Sequence, residues 1–467
     1  MKERDRVLVV GGGISGLAAA WALTHPTACV DVTVLEADQR LGGRIATEPF
    51  AGIDLDTGPD AFLTRTSSVI DLCRAVGLGD ELVAPATGAA FVWSRGRLRR
   101  LPPGLVLGVP TSVLALARAG VLTPKGTLRA ALDLALPARS APGQDGDVDA
   151  GRLVRARLGP EAHERLVDPL LGGINAGRTL GMSATVAAPP LIAASKHRSL
   201  MRGARSAAPA SSGGPVFLTV HGGMTRLSQA LGRGLRDAGV TIDMGEAVTG
   251  LTRADRGQWR VSTSAGRTIT ADAVIITLPP PAAADLLRPV SAPAAGELSS
   301  IDSSSVALVA LAYRLADVAA PPHGSGFLVP RVEGRLMTAC SWVTAKWPHL
   351  ARPGLALLRV SAGRDGDDRA MLLDDDELIR RLHEELREAI GARRAPVEGR
   401  VTRWPNAFPQ FHVGHPARVL RLESSLAVDA PGVVVAGAAY RGVGLPTCVA
   451  GAQTAVEAVR THLTRGR

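Results

Sequence analysis

The sequence predicts an α/β protein: a discontinuous, Rossmann-like dinucleotide-binding domain carrying a mixed α+β domain and a helical insert. Three stretches predict it. The chain opens with a β-branched run, a glycine turn and an alanine-rich helix, "RVLVVGGGISGLAAAWAL" (Arg6 to Leu23). Strand, turn and helix recur in mid-chain, in "VFLTVHGGMTRLSQALGRGLRDAGVTI" from Val216. A last apolar strand, Val433 to Val435, runs into a loop of small residues and a closing helix.

In chain order, Arg6 to Val10 reads as a strand, the helix runs to about Leu23, and "VDVTVLEA" (Val30 to Ala37) is a second strand. Together they form a β-α-β unit. From about Ala90 to Ser206 the pattern is helical and basic, with a polar break at Arg139 to Gly151 and a linker at Ala208 to Val216. Residues 257–280 alternate like a hairpin and end on a strand stopped by Pro279 and Pro280. Residues 301–403 mix strands with one helix, Asp375 to Ile390. The division expected is therefore 1–89, 212–281 and 416–467 for the dinucleotide-binding domain, 90–211 for a helical basic lobe and 282–415 for the mixed domain.

Composition narrows the function classes. A chain of 467 residues with 46% apolar content has material for several packed lobes. The four cysteines are widely spaced, with no CxxC and no Cys/His cluster. No metal site, no disulfide framework and a reducing cytoplasm are expected. Between Arg95 and Arg205 stand 17 Lys/Arg against 7 Asp/Glu, a surplus equal to the net +10 of the whole chain. Such a face suits an anionic substrate, an anionic membrane surface or plain solvation. With 3% aromatics and no nucleic-acid module, nucleic acid is not an expected partner. Glycines interrupt the apolar N-terminus, so it does not read as a secretory leader. The longest apolar stretch, Gly104 to Leu122, is broken by Pro110 and Arg118, so it reads as a surface-lying or buried amphipathic helix.

The chemistry sits in the glycine turns. In Gly11-x-Gly13-x-x-Gly16, Gly11 permits the tight turn, Gly13 lets backbone approach a pyrophosphate, and Gly16 lets helix and strand pack closely. Gly12, Ile14 and Ser15 complete the loop, whose helix N-terminus offers unpaired N–H groups to an anion. Glu36 follows Gly16 by twenty residues, with Ala37 after it, where a carboxylate accepts from ribose hydroxyls. "RLGGR" (Arg40 to Arg44) resembles the second phosphate or flavin contact of FAD-dependent amine oxidases, with Gly43 and Arg44 at the ligand. That likeness selects FAD, held non-covalently, over a nicotinamide. The Gly58-Pro59 turn, with Asp60 and Ala61, is expected beside the flavin. Val248 and Trp404 are further cofactor candidates, as are Gly437, Val443, Gly444 and Leu445 in the C-terminal loop. Pro446 and Thr447 are expected to start the closing helix, with Thr447 as its N-cap and its N–H groups toward the flavin. Tyr440 reads as a packing residue.

The chain resembles, nearly end to end, the oxygen-dependent porphyrinogen oxidases of bacterial haem synthesis, within the FAD amine-oxidase-like superfamily. "GGGISGL", "LGGR", "GPDAFL", "DPLLGGINAG" (Asp168 to Gly177) and "VHGGM" carry the likeness in the first half. "GSGFLVPRVEGR" (Gly324 to Arg335), "KWPH" (Lys346 to His349), "RWPNAFPQFHVGH" (Arg403 to His415) and "AGAAYRGVGLPTCVAG" carry it in the second. The resemblance implies FAD, a porphyrinogen substrate bearing propionates, and molecular oxygen as acceptor. It also makes 282–415 substrate-binding and the 90–211 lobe a membrane contact or substrate channel, and adds a transient ferrochelatase contact. It places Leu170, Gly173, Ile174 and Leu328 along the ring site, Arg65 on a propionate and Trp342 in the ring wall; core packing or a surface role is the other reading of each. Asn175, Ser325, Ala90 and Thr66 depart from the relatives' residues, away from the mitochondrial protoporphyrinogen type. The extra-basic lobe and the Arg/Ala/Gly-rich, actinobacterial composition favour coproporphyrinogen III. An FAD amine oxidase and a non-catalytic FAD-fold partner are the competing readings; the basic lobe counts against the first, the intact glycine motifs against the second.

Overall fold

The computed structural model describes residues 4–24, 30–136, 146–207, 214–319 and 324–465. Residues 208–213 of the expected linker (Ala208 to Val216) and residues 139–145 of the polar break lie outside these. Five parallel strands form the first sheet, in the order Thr241–Met244, Val30–Glu36, Asp5–Val10, Ala273–Ile276, Val433–Val435. They come from the start, middle and end of the chain, so the Rossmann-like sheet is discontinuous. Alternation along the first strand explains its burial on both faces. Val7 and Val9 pack with Leu17, Leu23, Val449 and Val456, from the helices Ile14–Thr24 and Leu445–Arg465. Leu8 and Val10 pack on the other face with Trp259, Leu287, Leu298 and Leu426. That second face is covered by the helices Pro280–Leu287, Ala292–Ser299 and His415–Asp429.

A second, seven-stranded sheet runs Glu398–Pro409, Ser303–Arg314, Leu355–Ala362, Met337–Trp342, Gly326–Leu328, Ala90–Trp93, Leu98–Arg100. The helix Asp375–Ile390 belongs to this lobe's core through Leu378, Leu382, Leu386 and Ile390, a strict four-residue spacing. The Asp374 carboxylate caps it on Glu377 N–H, and Gly391 closes it at φ 68°. One expectation fails here. Ala90–Trp93 and Leu98–Arg100 open the supposed helical lobe as strands, because Phe91 and Val92 find ladder partners in Phe327 and Leu328.

The remaining helices of that lobe enclose a core of their own around Leu116, Leu153, Leu166, Leu191 and Leu200. Within Gly104 to Leu122 only Val113–Ala119 is helical: Leu116 is buried, Leu114 exposed. Asp133 anchors this lobe from inside, pairing with Arg157 at 2.9 Å and accepting from Ser199 Oγ at 2.7 Å. No helix among the described residues is long and apolar enough to cross a membrane.

Candidate functional site

The first groove forms where the first strand ends at Val10. Gly11 turns the chain at φ 106° and donates its N–H to Leu35 O at 2.8 Å. A Cβ at Gly16 would stand 1.9 Å from Gly11 O, whereas one at Gly13 would meet nothing within 4 Å. Gly16 therefore serves close packing, and Gly13 leaves room for a phosphate to reach backbone. Ser15 is buried and Ile14 half-buried at the start of the helix behind. The Glu36 carboxylate accepts from Gly12 N–H at 2.5 Å and Asp38 N–H at 2.8 Å. Each oxygen keeps a lone pair, and Ala37 beside it is exposed. Glu246 N–H donates to Glu36 O at 2.9 Å, which brings the start of the strand Val248–Arg253 to the same end of the groove.

The glycine pair after the second strand closes over this loop. Gly42 donates to Gly12 O at 2.8 Å and pairs with Gly13. Arg40 is spent on its own turn, donating to Gly43 O at 2.5 Å and Ile45 O at 3.0 Å. Arg44 donates to Asn406 O at 3.2 Å. Burial pushes its guanidinium below the usual value, opposed by the Cys448 thiol in the first turn of the closing helix. Gly58 touches Arg44 so closely that a Cβ would stand 2.0 Å from Arg44 O. Trp404 Nε1 donates to Thr57 O at 2.7 Å, which sets its ring beside the Gly58-Pro59 turn. Arg44, Gly58, Trp404, Asn406 and Cys448 of the closing helix thus converge, and all of them but Asn406 and Cys448 are among the expected cofactor residues.

Asp60 has a different employment from the one expected. Its carboxylate accepts from Lys346 Nζ at 2.9 Å, Arg359 Nη2 at 2.8 Å and Trp347 Nε1 at 3.3 Å. Burial alone would raise this carboxyl, but the Arg359 and Lys346 cations hold it well below the usual carboxylate range. It latches the Gly58-Pro59 turn onto the seven-stranded sheet. Sequence reasoning missed this because its partners are 286 and more residues away.

At the C-terminal loop, Gly437 and Gly442 take φ of 144° and 133° and flank a short helical turn, Ala438–Arg441. The closing helix begins at Leu445, so Thr447 stands inside its first turn and is not the N-cap. Pro446 explains the earlier start, since its fixed φ suits a first-turn position. Cys448 N–H donates to Gly444 O at 3.0 Å, and Ser68 Oγ to Pro446 O at 3.4 Å. Tyr440 is 3% exposed among Val433, Val435 and Leu426, as a packing residue should be; its hydroxyl has no partner among the described residues.

The candidate substrate residues divide. Asp168–Gly177 leaves a wide-turned π-helix, His163–Gly172, with Pro169 inside it. Such helices recur at functional sites. Here Asp168 accepts from Thr179 Oγ1 at 2.6 Å, and Thr179 Oγ1 meets His163 Nε2 at 2.7 Å. The strap leaves Leu170 half-buried, Gly173 exposed and Ile174 50% exposed, so the last two are not core. Leu328 is half-buried in the strand Gly326–Leu328. Arg65 is exposed, with no hydrogen bond or ion pair to another described residue. Trp342 is the correction. At 1% exposure it packs between Phe91 and Phe327, at 5.8 and 6.0 Å, and walls the core rather than an open slot.

These grooves fit a flavin dinucleotide, with two helix N-termini, an acid for ribose and a glycine cradle that a Cβ would fill. Residues 14–460 match the model of the family described as flavin containing amine oxidoreductase. The chain belongs to that family. Its coproporphyrinogen III oxidase relative from Bacillus subtilis is 35% identical over 98% of this chain and 99% of its own. The one from Mycobacterium leprae is 34% identical over 98% of each. A crystal structure named for protoporphyrinogen oxidase, from Exiguobacterium sp. 255-15, superposes at TM-score 0.87 with 33% identity over 99% of each chain. As a flavin amine oxidoreductase, the protein is an FAD-dependent oxidoreductase, and its residues named above are those available to hold FAD.

Proposed function

We propose that the enzyme oxidises coproporphyrinogen III to coproporphyrin III in haem synthesis, with molecular oxygen as acceptor and hydrogen peroxide as by-product. The observation that carries this reading is the exposed Gly173–Ile174 strap, with Leu170 and Leu328 half-buried, in a chain whose glycine turns and Glu36 suit a flavin dinucleotide. Likeness to relatives of that name over nearly the full chain supports it. Each two-electron step removes a hydride and a proton from the macrocycle, and three such steps give the aromatic porphyrin. FAD, when bound, supplies the hydride acceptor that oxygen restores. The chain's own residues bind and orient. Glu36 and the Gly11–Gly16 loop hold the dinucleotide end, Arg44 and Trp404 the turn at Gly58, and the 21-residue closing helix favours negative charge at its N-terminus. Protoporphyrinogen IX is the second reading, favoured by the name of the Exiguobacterium structure. The four propionates of coproporphyrinogen, against two, suit the basic lobe better. Aerobic assays that follow porphyrin fluorescence and peroxide with each substrate decide it: preference for coproporphyrinogen III is expected, and turnover of a polyamine in its place would overturn the proposal.

Arg65, exposed and unpaired among the described residues, is assigned to a propionate. Arg65→Ala is expected to raise KM for coproporphyrinogen by about tenfold or more, the range of one charge-assisted bond, with kcat unchanged. An unchanged KM removes it from the site.

The cofactor is assigned to 1–89, 212–281 and 416–467, which share the parallel sheet, and the substrate to 282–415 with 90–211 along its approach. The packing of Pro280–Ser299 on that sheet moves the working boundary C-terminal to Ser299. We place the enzyme in the cytoplasm, peripheral to the inner membrane face. Leu128, Leu132 and Leu136, at four-residue spacing and 66, 40 and 44% exposed, lie on and just after the helix Pro124–Ala131 with exposed Lys125, and that helix packs against Val113–Ala119, which carries exposed Leu114 and Arg118. Sedimentation with anionic vesicles is expected for the wild type and lost in Leu128→Glu/Leu132→Glu; equal sedimentation of both would refute the contact. The ferrochelatase contact rests on the resemblance alone.

A further inference from the structure

After the strand Leu355–Ala362 the chain turns through Gly363–Asp368 into the short helix Arg369–Leu372. Arg364, Gly366–Arg369 and Leu372 of this segment, with Arg331 and Gly334, line an open recess of about 440 Å³. Three arginines face it, Arg331, Arg364 and Arg369, against two carboxylates, Asp367 and Asp368. A fourth, Arg178, overhangs it: a Cβ on Gly366 would stand 2.8 Å from Arg178 Nη2.

The three lining arginines differ in what they already hold. Arg369 makes two 2.8 Å bonds to the Asp367 carboxylate and a third, at 3.1 Å, to Arg335 O. Arg331 donates to Asp365 O at 3.1 Å and Gly177 O at 3.4 Å. Arg364 is short of acceptors. It is only 8% exposed, yet its guanidinium makes one long bond, 3.5 Å from Nη1 to Val329 O. Its Nε lies 3.9 Å from Asp367 Oδ2, a carboxylate already committed to Arg369, and has no hydrogen-bond partner among the described residues. Burial, with like charge from Arg331, pushes Arg364 down to about 10. A buried guanidinium with five donors and so few acceptors is costly without a counter-charge.

We propose that Arg364 is the base of an anion-binding site, bounded by Arg331 and Arg369, that takes one carboxylate or phosphate group in this recess. Arg331 Nε also faces the Asp168 carboxylate at 4.0 Å and Arg178 faces Asp365, so it is the unmet donors of Arg364 that call for an oxyanion, and the planar fork of a guanidinium suits its two oxygens. Two sources share that chemistry. Arg331 follows Leu328 in sequence and holds Gly177 at the end of the Gly173–Ile174 strap, so the group is either a propionate of the substrate or a free oxyanion such as inorganic phosphate. The propionate source rests on the proposed function; the site itself does not.

Calorimetric titration of the holoenzyme with inorganic phosphate, in a buffer free of other oxyanions, tests it. One equivalent is expected to bind, about tenfold or more weaker in Arg364→Gln, the loss of a charge-assisted pair. Asp368→Asn supplies a variant of opposite sign: Asp368 is exposed and its side chain caps nothing, so the fold should stand while phosphate binds more tightly. No phosphate binding by the wild type, or equal binding by wild type, Arg364→Gln and Asp368→Asn, would overturn the proposal. Titration with coproporphyrin III at saturating phosphate then names the source. Competition that its tetramethyl ester fails to show supports the propionate, and simultaneous binding supports a free oxyanion. If the enzyme oxidises no porphyrinogen at all, phosphate binding is still expected.

Discussion

Alanine at Gly16 is expected to strip the protein of its flavin. The new Cβ would stand 1.9 Å from the Gly11 carbonyl oxygen, inside any permissible contact. The helix Ile14–Thr24 must then move off the first strand, and with it the N–H groups that face a phosphate. Overpacking costs about 1–3 kcal/mol even where side chains can yield, and backbone does not yield. Flavin affinity should fall by at least ~10–100-fold, read as lost absorbance near the flavin maximum in purified protein whose circular dichroism is unchanged. Gly13→Ala is the control, since its Cβ meets nothing within 4 Å of protein. That variant should fold normally and weaken flavin only by crowding the ligand. Full flavin retention in Gly16→Ala would remove the glycine turn from the cofactor site.

Removing the Asp60 carboxylate should be the most destabilising change at the Gly58-Pro59 turn. Asp60→Ala leaves Lys346 and Arg359, 16% and 12% exposed, with no carboxylate between them. Breaking a buried pair from one side costs about 3–5 kcal/mol; the 24% exposure of Asp60 lowers the expectation to about 2–4 kcal/mol. The loss appears as a lower denaturation midpoint, and as faster flavin release because the Gly58-Pro59 turn is freed from the seven-stranded sheet. Asp60→Asn should fall between, since the amide oxygen still accepts from Lys346 or Arg359 while the charge is gone. A midpoint within experimental error of the wild type would show that the latch carries no load.

Local signals were read well from sequence because they act over a few residues. The first β-α-β unit follows from alternation, glycines and one acid. The helix Asp375–Ile390 follows from its Asp374 cap, its leucine spacing and Gly391. The discontinuous sheet was legible too, because each of its three pieces carries its own strand signal. What stayed hidden depends on partners far along the chain. Trp342 and Trp404 look alike in sequence, yet one is sealed between Phe91 and Phe327 and the other hydrogen-bonds the Gly58 turn. Ala90–Trp93 is a strand because distant Gly326–Leu328 lies on one side of it and Leu98–Arg100 on the other. The wide turn of His163–Gly172 and the Asp168–Thr179–His163 chain have no periodic signature. Thr447 lost its capping position to Gly444 because the helix, with Pro446 in its first turn, starts three residues sooner than a Thr447 cap would set.

Anaerobic mixing of the FAD-loaded protein with coproporphyrinogen III tests the proposed activity most directly. Bleaching of the flavin absorbance is expected at a rate no slower than aerobic turnover, with porphyrin fluorescence following when oxygen is admitted. Protoporphyrinogen IX should bleach it more slowly. A flavin that stays oxidised with both porphyrinogens, in protein that binds FAD fully, would contradict the assignment.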